Sequence, residues 1–106
     1  IHRTVPDQVE DLAQLATDAG VDGIVASPQE VARLRARLGP NITIVTPGIR
    51  SDKGTGAPLR DDQIRTLGPA EALRAGASYL VVGRPIIASS DPPAAARAIV
   101  SELENL

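Results

Sequence analysis

Cysteine, methionine, tryptophan and phenylalanine are all missing from this chain of 106 residues, Tyr79 is its only aromatic, and His2 and Lys53 are its only histidine and lysine. Without cysteine there is no disulfide scaffold, no thiolate metal site and no cysteine nucleophile, a composition that suits a reducing compartment. One histidine near the chain start gives no basis for histidine acid-base chemistry or a histidine metal cluster. Asp61 and Asp62 are adjacent carboxylates with no third ligand at metal-site spacing, so no metal is expected. No apolar run approaches the ~20 residues a membrane span needs, and no charged, apolar and small-residue succession marks an export signal. A cytoplasmic protein is the resulting expectation. With 11 basic and 13 acidic side chains the net charge is -2, which together with the single aromatic gives nucleic acid neither an electrostatic nor a stacking partner. The absence of methionine in a chain that begins at Ile1 leads to the expectation of a fragment.

What is present is a regular alternation of two periodicities. From Pro6 to Ala19 the apolar residues Val9, Leu12, Leu15, Ala16 and Ala19 recur at three and four residue spacing, and Gly20 follows, which predicts a helix. Val21 to Ala26 is short and almost continuously apolar, as in a parallel strand covered on both faces. Ser27-Pro28-Gln29-Glu30 has the pattern of a capping box with proline at the first helical position, opening a helix through Val31, Leu34 and Leu38. Gly39-Pro40-Asn41 ends it, and the β-branched run Ile42 to Thr46 predicts a second strand. A long polar stretch with Gly54, Gly56 and Pro58 follows Arg50 and is too long for a plain connector. Pro69 starts a short helix closed by Gly76, Tyr79 to Gly83 reads as a third strand, and Asp91-Pro92 caps a last helix burying Ala95, Ile99, Leu103 and Leu106.

Three parallel strands with four helices, with residues 1–106 as one unit, amount to about half of an eight-fold barrel or to a truncated open sheet. Two strand edges are left to be covered by something else. A complete barrel takes about 250 residues, so the unit is incomplete alone.

In such folds ligands gather at the carboxyl ends of the strands. Those ends are Ala26-Ser27, the Thr46-Pro47-Gly48-Ile49-Arg50 run, and Gly83-Arg84-Pro85. Glycine beside arginine suits an anion, because the backbone N–H can approach closely while the guanidinium supplies charged donors. Two readings stand for Arg84, an anion ligand or a surface arginine lying over a helix. Ser27 likewise reads as a helix cap, a ligand, or both, and Arg50 and Gln63 as solvated loop residues unless their shared loop turns towards a ligand. Gly54-Thr55-Gly56 lacks the P-loop lysine and the strand-to-helix context of a nucleotide loop. No nucleophile elbow is present. Residue chemistry alone gives an anion binder with no evident catalytic group.

Taken in order, Val21-Asp22-Gly23-Ile24-Val25-Ala26-Ser27, Thr46 to Arg50, Asp62-Gln63-Ile64-Arg65, Ala72-Leu73-Arg74-Ala75-Gly76-Ala77 and Val81-Val82-Gly83-Arg84-Pro85-Ile86 resemble the carboxyl-terminal half of the orotidine 5'-phosphate decarboxylase family over nearly the whole chain. The resemblance implies a TIM (β/α)8 barrel whose last three strands are these, and decarboxylation of orotidine monophosphate to uridine monophosphate without cofactor or metal. It implies that Ser27 faces the pyrimidine, Pro47 lines the base pocket, Arg50 sits at the substrate-side rim, Gln63 reaches the phosphate and base edge, and Gly83 and Arg84 hold the phosphate. The partners so implied are a pyrimidine nucleoside monophosphate, the amino-terminal half of the barrel or a second chain, and a second copy in a homodimer of the complete protein. The family's D-x-K-x-x-D motif, with a further lysine before it, has no counterpart here, and Lys53 does not match the catalytic lysine. No catalytic residue is therefore expected in this chain, which alone is expected to be inactive. Twelve residues separate Arg50 from Gln63, a longer loop than in many relatives, and Gly68-Pro69 stands where Thr-Pro is common. Another phosphate-binding barrel enzyme, such as a sugar-phosphate decarboxylase or synthase, and a non-catalytic half-barrel that pairs with another chain are the alternatives.

Overall fold

A computed structural model describes residues 4–49 and 68–106. Helix α1 (Val5–Asp18) begins where the Thr4 hydroxyl accepts from the Asp7 N–H at 3.2 Å and Pro6 occupies the first turn. Strand β1 (Gly23–Val25) leads into a 3-10 turn (Pro28–Glu30) and helix α2 (Val31–Leu38). Strand β2 (Thr43–Thr46) follows, then helix α3 (Pro69–Ala75), strand β3 (Tyr79–Leu80), the single-turn helix α4 (Arg84–Ile87) and helix α5 (Pro92–Glu104). As the sequence predicts, Asp91 caps α5, its carboxylate accepting from the Ala94 N–H at 3.2 Å.

The three strands are parallel in the order β1-β2-β3, so β2 is central and the other two are edges. Gly23, Ile24 and Val25 stand opposite Thr43, Ile44 and Val45, while Val45 and Thr46 stand opposite Tyr79 and Leu80. The expected edges are thus present among the described residues. The strands are shorter than the apolar runs that predict them, because an edge strand is paired on one side only, and only where β2 reaches it.

One face of the sheet is packed under helices. Ile44 and Thr46 of β2, Val31 and Leu34 of α2 and Ala72 of α3 are almost entirely buried, with Ala13, Ala26, Ile42, Ile49 and Ala77 around them. The other face departs from the expectation of strands covered on both sides. Val25, which is 73% exposed, shares a row with half-buried Val45 and with Tyr79, 66% exposed. Among the described residues no helix covers Val25 or Tyr79. A similar correction applies to α1, where Leu12 and Leu15 lie exposed although their spacing marks an apolar stripe; Val9 and Ala13, one turn apart, carry the packing. Leu106, expected to be buried beyond α5, is also exposed.

Arg35 of α2 ties the lower end of the layer together. Its guanidinium donates to the carbonyl oxygens of Gly76 (2.7 and 3.0 Å), Gly39 (2.9 Å) and Ile42 (2.6 Å) and to the Ser78 hydroxyl (3.2 Å). Ser78 Oγ in turn accepts from the Ile44 N–H at 3.0 Å. Gly76 has φ of +121°, and a Cβ there would stand 2.8 Å from Arg35 Cγ, so both backbone conformation and space demand glycine. The exposed Arg33 pairs with Asp7 and Glu10, and Arg37 with Asp11, across α1 and α2. Among the described residues no helix is long and apolar enough to cross a membrane.

Candidate functional site

The cleft of interest lies at the carboxyl ends of β2 and β3. Gly48, Ile49, Gly83, Arg84 and Pro85 line it, and its volume is about 150 Å³. One wall is built by β2 running into Pro47 and then Gly48, whose φ of +75° turns the chain so that Ile49, 2% exposed, is driven into the core. The buried Ile49 side chain anchors one end of this wall. The second wall forms because Gly83 leads into α4, whose first turn closes when the N–H groups of Ile86 and Ile87 both donate to the Gly83 carbonyl at 3.0 Å.

Free donors gather at this cleft. Among the described residues the Arg84 guanidinium is exposed and makes no hydrogen bond or ion pair, as is also true of Arg74 and Arg97 on the helices, but of these three only Arg84 lines the cleft. The backbone N–H groups of Gly48, Ile49, Gly83 and Arg84 also make no hydrogen bond there. Pro85 brings no N–H of its own. One free cation and several free amides around a small concavity have the chemistry to receive an anion.

Of the residues singled out by sequence, Gly83 and Arg84 line the cleft. Pro47 is half-buried at the end of β2, next to the lining residues but not among them. Ser27 lies two residues beyond the end of β1, and its neighbour Pro28 lies 3.8 Å from where a Cβ on Gly48 would stand. Arg50 and Gln63 lie outside the described residues, as do His2, Lys53, Gly54, Asp61 and Asp62.

The capping box expected at Ser27 does not form. Its side chain makes no cap hydrogen bond, because the Glu30 N–H is taken by the Ser27 carbonyl at 3.0 Å in a 3-10 turn before α2 begins. The Ser27 hydroxyl consequently makes no hydrogen bond among the described residues. The structural explanation that competes with a ligand role for Ser27 is thereby removed. Helix α4 is a second departure, since Tyr79 to Gly83 reads as one strand in sequence; a glycine followed by Arg-Pro was the available sign of a helix start. Gly48, Ile49 and Pro85 line the cleft as well; they stand within the strand-end runs of the sequence but are not among its candidate ligands. Among the described residues no group of three or more His, Asp or Glu side chains is placed to hold a metal ion.

The fold and the cleft together define a portion of a parallel β/α barrel with its concavity at the carboxyl ends of the strands. A sequence model of the Orotidine 5'-phosphate decarboxylase / HUMPS family matches residues 3–99, and the chain belongs to that family. It is 55% identical over 107 residues to the orotidine 5'-phosphate decarboxylase of Moorella thermoacetica, with 98% of this chain and 40% of that protein covered. Among solved structures it is similar to orotidine 5'-phosphate decarboxylase from Lactobacillus acidophilus, with a TM-score of 0.77 and 37% identity over 97% of this chain and 39% of that one. It is also similar to the enzyme from Pyrococcus horikoshii OT3, with a TM-score of 0.70 and 28% identity over 92% of this chain and 42% of that one. These structures are TIM barrels, and this chain spans about 40% of the length of the relatives it matches.

Proposed function

We propose that this chain is the substrate-phosphate side of an orotidine 5'-phosphate decarboxylase. The observation that carries the reading is the cleft at the ends of β2 and β3, where the Arg84 guanidinium and the amides of Gly48, Ile49, Gly83 and Arg84 have no other partner among the described residues. A phosphate monoester fits this arrangement, because its oxygens accept several donors at once and its charge matches the guanidinium. The similarity to decarboxylases that bear this name supports the same ligand.

In the proposed complex Gly83 and Arg84 grip the phosphate, Pro47 lines the base pocket, and the unengaged Ser27 hydroxyl faces the pyrimidine. Arg50 is assigned to the substrate-side rim and Gln63 to the phosphate and base edge. The reaction breaks the bond between C6 and its carboxylate, carbon dioxide leaves, and the electron pair left on C6 takes a proton from a lysine in the barrel strands not carried here. No metal or cofactor takes part. Grip on a phosphate remote from C6 contributes to catalysis by using binding energy away from the reacting bond. The remaining strands are the first partner of this chain, covering the edges of β1 and β3 and the open sheet face. A homodimer of complete barrels in the cytoplasm completes the proposal.

The test is Arg84→Ala in the complete barrel. Transition-state binding should weaken by about 1.5 to 3 kcal/mol, the scale of a charged hydrogen bond, with orotidine monophosphate. The loss should largely vanish for a truncated substrate without the phosphate. Equal losses on both substrates refute the phosphate role, and tight binding of a pentulose or hexulose phosphate with none of a pyrimidine monophosphate moves the assignment to a sugar-phosphate lyase.

A further inference from the structure

Thr46 is the last residue of β2, it is completely buried, and its hydroxyl is the one buried side-chain polar atom among the described residues without a hydrogen-bond partner. A hydroxyl taken out of water and left unpaired raises the free energy of the folded state, and valine has the same shape without that cost. Burial therefore does not account for a threonine here.

Its position points to a use. The Thr46 carbonyl accepts the Val81 N–H at 2.9 Å, two residues before Gly83, and Thr46 itself is two residues before Gly48. It is thus joined by hydrogen bond to one wall of the cleft and by the chain to the other. The segment it leads into is incompletely bonded too, since the N–H groups of Gly48 and Ile49 have no partner among the described residues. Orphan groups thus stand on both sides of Pro47.

We propose that Thr46 is a positioning residue of the cleft: when an anion engages the amides of Gly48 and Ile49, the segment from Pro47 to Ile49 settles and a backbone carbonyl within it accepts the Thr46 hydroxyl, locking that wall against the Gly83 wall. The inference rests on the phosphate reading of the cleft. Stability withheld from the empty site is returned on binding, as expected of an unsatisfied group kept beside a functional one.

The experiment compares Thr46→Val, Thr46→Ser and Arg84→Ala in the complete barrel, measuring melting temperature without ligand and dissociation constants for uridine monophosphate and uridine. Thr46→Val should melt higher than the parent yet bind the monophosphate about 3- to 10-fold more weakly, the range of one neutral hydrogen bond. Uridine binding should stay unchanged, and Thr46→Ser should restore monophosphate affinity. Unchanged monophosphate affinity in Thr46→Val, an equal loss on uridine, or a lowered melting temperature overturns the inference, the last because the hydroxyl would already be partnered in the empty site. Arg84→Ala separates the two layers of argument: a loss there with none at Thr46→Val overturns the role of Thr46 alone. No loss at Arg84→Ala overturns the phosphate reading and this inference with it.

Discussion

Arg35→Ala removes the clasp that holds the lower ends of β2 and β3, and the structure sets the size of the effect. The guanidinium serves three carbonyl oxygens, those of Gly39, Ile42 and Gly76, and the Ser78 hydroxyl. A hydrogen bond from a charged donor contributes about 1.5 to 3 kcal/mol when well enclosed. Arg35 is only half-buried, so water replaces part of what is lost, and a net cost of about 2 to 4 kcal/mol is expected. At roughly 4 °C per kcal/mol for a unit of this size, the melting temperature falls by about 8 to 16 °C. Arg35→Lys should recover less than half, because an ammonium cannot span carbonyls that a planar fork reaches together. The control is Arg37→Ala, which removes an exposed pair with Asp11 and should cost under about 1 kcal/mol. Thermal unfolding of the three variants followed by circular dichroism reads the comparison. An Arg35→Ala loss no larger than that of Arg37→Ala would falsify the clasp.

Gly76→Ala attacks the same joint from its other side, since the new methyl meets Arg35 Cγ at 2.8 Å in a left-handed conformation; a loss of about 2 kcal/mol or more is expected in urea unfolding. Gly48→Ala is the informative contrast. Its Cβ meets only Pro28 at 3.8 Å, so a strain of about 1 kcal/mol is expected without a clash, together with weaker phosphate binding as the first wall shifts. Hydrogen bonds from Thr4 and then Arg33 hold the Asp7 carboxyl below its ordinary value of 3.8. Its contribution to folding is therefore present above that value and lost as pH falls through the lowered one, which NMR titration of Asp7 against a Thr4→Val, Arg33→Ala double variant would detect as an upward return of the midpoint. The 106-residue chain alone should show no decarboxylation of orotidine monophosphate above background; clear turnover refutes the assignment of chemistry to the strands it lacks.

How far the sequence could be read depended on whether each property is local. The α1 periodicity announces a helix because the spacing belongs to the helix itself, yet whether Leu12 and Leu15 or Val9 and Ala13 find cover depends on neighbours that spacing does not encode. At Ser27 the pattern of an N-cap is present and another solution to the same amide was adopted, the backbone carbonyl of Ser27 taking the Glu30 N–H. The Arg84 side of the cleft was legible because glycine and arginine at a strand end combine two chemical preferences in adjacent residues. Thr46 was not, since a threonine in a β-branched run reads as strand propensity, and its unpaired hydroxyl exists only through what surrounds it. The Arg35 bond to Gly76 spans 41 positions and leaves no trace in any local pattern.

The row formed by Val25, Val45 and Tyr79 across the open sheet face has a practical consequence for handling this chain by itself. The residues are uncharged, and among the described residues the row is flanked on both sides by unpaired strand edges, so two such surfaces meeting in solution have nothing to repel them locally. Self-association of the isolated chain should rise with concentration and survive high salt, because screening weakens charge contacts and leaves apolar ones in place. Dilution and co-expression with the missing strands, rather than ionic strength, are the means to keep it dispersed. A lysine introduced at Val25 would act as a gatekeeper for the isolated chain and as an obstacle to closing the barrel.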